Sequence, residues 1–145
     1  MKKERKSIFL SALLVRHANE YIINEFKKFE IFGISPSHGD IFHCLFGGKT
    51  LTPAQISKKI NRTKATVTTL LDKLEKEGFL TREKDENDAR SINIKLTQKG
   101  ENLKPKFDEI SKNLNEILAN DFSEFELNAL DTLLERAIKN FKNKI

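Results

Sequence analysis

Between residues 52 and 78 the sequence starts and stops two short helices, and this punctuation constrains the fold more than any other feature. Thr52-Pro53-Ala54-Gln55 is a capping box with proline at the first helical position. In such a box the threonine hydroxyl takes a free amide, the glutamine side chain reaches back to the threonine amide, and proline has no amide to leave unpaired. The helix it opens runs through Ile60, Asn61-Arg62 makes a turn, and Thr63 caps a second helix that Gly78 terminates. Val67, Leu70, Leu71 and Leu74 form the buried stripe of that second helix. A helix, a tight turn and a second helix with a buried stripe is the helix-turn-helix arrangement. The hydrophobic period then changes from 3.6 to 2: residues 79–84 read as a strand, and Ile92, Ile94 and Leu96 alternate with Asn93 and Lys95 in another. A polar loop, residues 85–91, joins the two.

The flanks are helical. Ile8, Ala12, Val15, Asn19, Ile22, Phe26 and Phe29 recur in steps of four and three with one polar interruption, which predicts a long first helix that Gly33 ends. Ser35-Pro36 opens a second helix running to Gly47-Gly48. After the hairpin, Thr97 starts a helix with Leu103, Phe107, Ile110, Leu114, Ile117 and Leu118 on one side, kinked near its beginning by Pro105. Ser123-Glu124-Phe125-Glu126 is a further capping box, and Leu127, Leu130, Leu134, Ile138 and Phe141 stripe the last helix. The predicted order is four helices, a hairpin and two helices: a mainly α chain with a small β-hairpin wing. The first helix and the last two carry apolar stripes too long for a chain of 145 residues to cover comfortably, so they are expected to dimerise. The competing arrangement is an intramolecular three-helix pack. In numbers, 7–32 and 98–143 are the expected dimerisation helices of a single 1–145 domain, and 35–96 the expected winged helix-turn-helix lobe.

That length suits one domain. A single cysteine, Cys44, excludes an internal disulfide, and one Cys with three His is a poor basis for a zinc site, so the expectation is no metal and no cofactor. Cys44 shares the apolar side of the second helix with Ile41 and Leu45 and reads as an inert thiol. The head Met1-Lys2-Lys3-Glu4-Arg5-Lys6 before an apolar stretch has the outline of a secretory signal. The stretch stops at Arg16-His17 without a small-residue cleavage site, and its spacing continues to Phe29, so it reads as helix. No window reaches the ~18 apolar residues of a membrane span. A cytoplasmic protein without membrane contact is expected.

Charge is concentrated in the middle. Residues 49–104 hold 13 basic and 8 acidic side chains, which accounts for the whole formal charge of +5. Residues 55–71 contain Lys58, Lys59, Arg62 and Lys64 and no acidic residue. Charge alone does not separate a nucleic-acid surface from a solvated helix face; the helix-turn-helix does. At about 100° per residue, the side opposite the buried stripe presents Ala65, Thr68, Thr69, Asp72 and Lys76, flanked by Lys64, Thr66 and Lys73. Small hydroxylated side chains let a helix approach base edges in a major groove, while the four cations meet phosphates. Asp72 either accepts from a cytosine or, the favoured reading, pairs with Lys76 along the helix. In the loop, Asp88 two residues before Arg90 orients a guanidinium that can enter a minor groove.

The run Thr63-Lys64-Ala65-Thr66-Val67-Thr68-Thr69-Leu70-Leu71-Asp72-Lys73-Leu74-Glu75-Lys76-Glu77-Gly78-Phe79-Leu80-Thr81-Arg82 resembles the recognition helix and first wing strand of the MarR family of winged helix-turn-helix transcriptional regulators. Asp85-Glu86-Asn87-Asp88-Ala89-Arg90 is similar to the family's wing, and Leu96-Thr97-Gln98-Lys99-Gly100 to the start of its following helix. The resemblance implies a homodimer that binds a roughly palindromic double-stranded DNA operator and usually represses, with a small ligand or oxidant releasing the DNA in many members. The residues it places on DNA are Lys58, Lys59, Arg62, Lys64, Ala65, Thr66, Thr68, Thr69, Lys73, Asp88 and Arg90. By the same analogy an anionic or aromatic effector would meet Arg16, His17, His38 and His43. The family's peroxide sensors keep a reactive cysteine in the first helix; residues 1–30 hold none, which argues against that mechanism.

Two other classes compete. A winged helix can be a protein-docking module without sequence-specific DNA binding. An enzyme is disfavoured: there is no nucleophile–base arrangement, metal-ligand cluster or cofactor fingerprint. Gly48-Lys49-Thr50 resembles the end of a phosphate-binding loop, but His43 stands where that motif needs glycine.

Overall fold

A computed structural model of the chain describes residues 3–144. Met1 and Lys2 of the basic head therefore lie outside the described residues. The elements in order are α1 (Ser7–Lys28), α2 (Pro36–Leu45), α3 (Pro53–Ile60), α4 (Lys64–Lys76), β1 (Leu80–Lys84), β2 (Ile92–Leu96), α5 (Gln98–Glu101), α6 (Lys104–Ala119) and α7 (Glu124–Lys142). They form two compact units, Met1–Ile110 and Ser111–Ile145.

The first unit is organised around Phe42, which is completely buried on α2. Its ring lies 5.1 Å from that of Phe107 at the start of α6, 5.4 Å from Phe79 and 5.8 Å from Phe46. Phe26 of α1 stacks on Phe107 at 5.5 Å. Offset and edge-on contacts at these distances add to the burial of large apolar area. Around this cluster Ile41, Leu45, Ile56, Val67, Leu71, Leu74, Leu80 and Ile94 are at most 2% exposed.

The first helix is shorter than its hydrophobic pattern predicts. It closes at Lys28 rather than running to residue 32, because Glu30 takes a left-handed φ of 56°. The Ile31 amide then donates to the Phe26 carbonyl at 2.8 Å and the Glu30 amide to the Lys27 carbonyl at 3.1 Å, the double bond of a Schellman stop. Phe26 and Ile31 are both buried, so the stop is secured by packing. The second helix ends at Leu45, before the two glycines.

The single helix predicted after the hairpin is two. α5 is one turn, capped by Thr97, and α6 begins at Lys104 with Pro105 in its first turn. Proline lacks the amide a continuous helix would need there, and its ring clashes with the preceding turn, so it breaks the helix outright.

β1 and β2 pair antiparallel in the register Leu80↔Leu96, Arg82↔Ile94 and Lys84↔Ile92. On its other edge Ile94 exchanges both backbone bonds with Leu51, at 2.7 and 3.1 Å. A one-residue bridge leaves no period in a sequence, and the pattern did not predict it. Beside it, the left-handed Gly47 and Gly48 point their amides at the two carboxylate oxygens of Glu101, at 3.1 and 2.9 Å. Gly48, which suggested the end of a phosphate loop, thus joins Gly47 in holding an internal carboxylate that fixes α5 to the α2–α3 connection.

The second unit contains the last turns of α6 and all of α7, with a left-handed Asp121 between them. Ser123 and Glu126 form the predicted capping box. Of the nineteen residues of α7 none is buried, and Phe125, Leu133, Ile138 and Phe141 are more than half exposed.

Candidate nucleic-acid interface

The turn between α3 and α4 is fixed by local hydrogen bonds. Thr52 Oγ1 accepts from the Gln55 amide at 3.2 Å, and Gln55 Oε1 accepts from the Thr52 amide at 2.9 Å. Asn61 turns the chain in the left-handed region, the Arg62 amide donates to the Ser57 carbonyl, and the Ser57 hydroxyl donates to the Arg62 carbonyl. Thr63 Oγ1 then accepts from the Thr66 amide at 3.2 Å to start α4. With both caps satisfied and Ile56, Val67, Leu71 and Leu74 in the core, the angle between the helices is set.

This arrangement turns Lys58, Lys59, Arg62, Lys64, Ala65, Thr68 and Thr69 outward, all exposed, with Thr66 half-buried. Among the described residues none of these four cations has a carboxylate within ion-pair distance, whereas Lys73 pairs with Glu77 at 3.2 Å. Four uncompensated cations around one turn make a cationic surface at the head of α4.

Asp72 is not paired with Lys76. Arg82 of β1 donates from Nη2 to Asp72 Oδ1 at 2.7 Å and from Nη1 to Glu75 Oε1 at 3.1 Å. A guanidinium fork matches two carboxylates one helical turn apart, where a lysine ammonium is a single point charge on a flexible stem. Spacing along α4 could not indicate this, because the partner lies on the strand. The contact removes both carboxylates from the helix surface as free negative charges and ties β1 to α4.

The hairpin loop is held by two aspartates. Asp85 accepts from the Asn87 amide at 2.8 Å and from Asn93 Nδ2 at 3.3 Å, and these bonds, the backbone one first, draw its carboxyl below the usual range. Asp88 Oδ1 accepts from the Arg90 amide at 3.0 Å and from its Nε at 3.4 Å. The Arg90 side chain is otherwise 94% exposed, so the loop is ordered while the guanidinium stays in solvent.

The four residues assigned to an effector are not joined to one another by any hydrogen bond or ion pair among the described residues. His17 pairs with Glu20 on α1 at 3.5 Å, and Arg16 is exposed. His43 packs its ring against Phe46 and Phe107. His38 Nδ1 accepts from the Ser35 amide at 2.9 Å, closing the start of α2 in the role that glutamine plays at Thr52. Burial, then the charge of Lys73, pushes its imidazole below the ordinary value. Burial raises the Cys44 thiol. Among the described residues no three His, Cys, Asp or Glu side chains are grouped to hold a metal ion, and no helix is long and apolar enough to cross a membrane.

The family model described as MarR matches residues 34–92. The HTH-type transcriptional regulator PecS of Dickeya dadantii is 31% identical over 137 residues, covering 91% of this chain and 78% of that protein. The HTH-type transcriptional repressor YetL of Bacillus subtilis is 35% identical over 95 residues, 64% of this chain; this chain spans about half the length of that relative, 56%. The S. aureus MepR–DNA complex superposes with a TM-score of 0.85 at 25% identity, over 94% of this chain and 99% of that one.

Proposed function

This chain belongs to the MarR family, and from that premise we propose that it is a sequence-specific, double-stranded DNA-binding transcriptional regulator that acts as a homodimer and represses by occupying a pseudo-palindromic operator. The observation that carries the reading is the cationic helix-turn-helix. Lys58, Lys59, Arg62 and Lys64 stand without carboxylate partners among the described residues, beside a small hydroxylated helix face, and Arg90 projects from an ordered wing. The four cations meet phosphates, Ala65, Thr66, Thr68 and Thr69 face base edges, and Arg90, oriented by Asp88, enters the minor groove. Lys73 joins the phosphate contacts once it exchanges Glu77 for a phosphate. Repression at an operator is supported by the relatives: YetL is named a repressor, and MepR is seen bound to DNA.

A second copy is the partner that fits the apolar residues left in solvent, on α1 (Ile8 68% exposed, Phe9 65%) and on α7 (Phe125 82%). Stripes of this size on a monomer mark an interaction surface. Two-fold symmetry then sets two α4 helices into successive major grooves about 34 Å apart. The dimer works in the cytoplasm. Release by a small anionic or aromatic effector belongs to the same reading, with Arg16, His17, His38 and His43 as the residues proposed to meet it, of which His38 also caps α2.

The test is duplex selection from a random pool followed by a salt titration. A dimer making six to ten phosphate contacts loses on the order of 10³–10⁵ in affinity between 50 and 200 mM salt. Absence of salt-sensitive duplex binding at micromolar protein overturns the reading in favour of a protein-docking module.

A further inference from the structure

We propose that the recognition helix reads thymine through its 5-methyl group, so that the operator half-site places thymines against the first two turns of α4. The inference rests on the DNA-binding reading and specifies its ligand.

The hydrogen-bonding capacity of this face is largely consumed within the protein. Thr69 Oγ1 donates to the Ala65 carbonyl at 3.1 Å, so its proton is not offered to a base. The Thr63 hydroxyl donates to Thr66 Oγ1 at 3.0 Å, and Thr66 is half-buried. Asp72 and Glu75, carboxylates of α4 that could accept from a cytosine amino group, are both held by Arg82, at 2.7 and 3.1 Å. α4 contains no Arg, Asn or Gln; of the side chains that read guanine and adenine by hydrogen bonds it has only lysines, of which Lys73 is paired with Glu77 and Lys64 belongs to the phosphate-facing cations.

What the face offers is methyl surface. Ala65, Thr68 and Thr69 are exposed, and Thr68 lies on the edge of a groove between α3 and α4 lined by Pro53, Ala54, Val67 and the Lys64 stem. Pro53, Ala54 and Val67 give that groove its apolar part, and Lys64 and Thr68 its polar part. In the major groove only thymine carries a methyl group, at the base edge next to its O4 acceptor. A methyl set into the groove buries apolar surface on both partners, and the Thr68 hydroxyl, without a hydrogen-bond partner among the described residues, is at the groove edge to meet O4.

The experiment uses the full-length protein and the duplex selected from a random pool. The duplex is rebuilt with deoxyuridine for thymidine, one position at a time, which removes the methyl and keeps the Watson–Crick pair. The transfer value of one buried methyl sets the expected loss at about four-fold per contacted thymine, confined to one or two positions in each half-site. Thr68→Ser, which keeps the hydroxyl and removes the protein's methyl, is expected to shrink that discrimination toward one-fold while circular dichroism stays unchanged. Equal affinity for thymine and uracil duplexes overturns the thymine reading and leaves DNA binding standing. Failure to select any duplex overturns both.

Discussion

Arg82 Nη2 lies 2.7 Å from Asp72 Oδ1, and this contact joins the first strand of the wing to the recognition helix. Its second branch, to Glu75 at 3.1 Å, makes Arg82 a clamp over one turn of α4. The Arg82→Ala variant leaves two carboxylates facing the duplex phosphates and frees the hairpin from the helix. Partly exposed ion pairs are worth about 1 kcal/mol or less each, so the fold is expected to survive with a modestly lower Tm. DNA affinity is expected to fall about ten-fold, because like charges now oppose, and Arg82→Ala with Asp72→Asn should recover part of it. Fluorescence anisotropy at fixed salt measures both; unchanged affinity in Arg82→Ala refutes the clamp.

Gly100 is where the wing meets α5. A Cβ on it would sit 2.3 Å from the Phe79 carbonyl oxygen and 3.1 Å from the Leu96 side chain. The carbonyl is already bound by the Thr97 amide at 2.9 Å and cannot move away. Gly100→Ala is expected to destabilise by about 3 kcal/mol, the upper end for overpacking because the obstacle is backbone. Urea unfolding gives the value, and a midpoint equal to wild type contradicts the close approach.

The parts of this structure legible in the sequence are those written within three or four residues. The caps at Thr52, Thr63 and Ser123 stand where the sequence predicts them because a capping bond joins positions i and i+3. Of the expected buried stripe Val67, Leu70, Leu71 and Leu74, all but Leu70 are buried, because burial follows helical period, and Leu70 is half-buried against the same core. What failed was set across the chain. The first helix stops at Glu30, a residue with no marked preference for positive φ, because Phe26 and Ile31 pack together. Asp72 chose Arg82 over Lys76 for a partner ten residues away, and Phe26, Phe42, Phe79 and Phe107 converge from four segments. In the candidate interface, residue types and outward positions were readable, but which hydroxyls and carboxylates remain free was not.

Glu101 spans the connection between α2 and α3 with both carboxylate oxygens. Glu101→Gln keeps the shape but presents an amide N–H to one of the two glycine amides, so one bond becomes a clash of donors. The region is solvent-accessible and water replaces part of the loss, which sets the expected cost at about 1 kcal/mol. That corresponds to a Tm lower by about 2–4 °C. Hydrogen exchange should quicken at Gly47 and Gly48 in the variant; protection unchanged at both amides rules the clamp out.

The cap of α2 carries a pH dependence. His38 Nδ1 can accept from the Ser35 amide only while unprotonated, and a proton there would also place a cation at a helix N-terminus and near Lys73. The folded pKa is therefore lower than the unfolded value of about 6.5. Between these two values the unfolded chain binds more protons than the folded one, so the contribution is complete above about 6.5 and is lost as pH falls below it. Asp85, drawn down by its hydrogen bonds, acts in the same direction but in the lower carboxylate range. Asp40, raised by burial, acts there with the opposite sign. His38→Gln keeps an acceptor at the third helical position and removes the titration, as Gln55 does for Thr52. Thermal melts from pH 7.5 to 5 are expected to show a Tm decline in wild type that is shallower in His38→Gln. Parallel declines in wild type and His38→Gln would assign the acid sensitivity elsewhere.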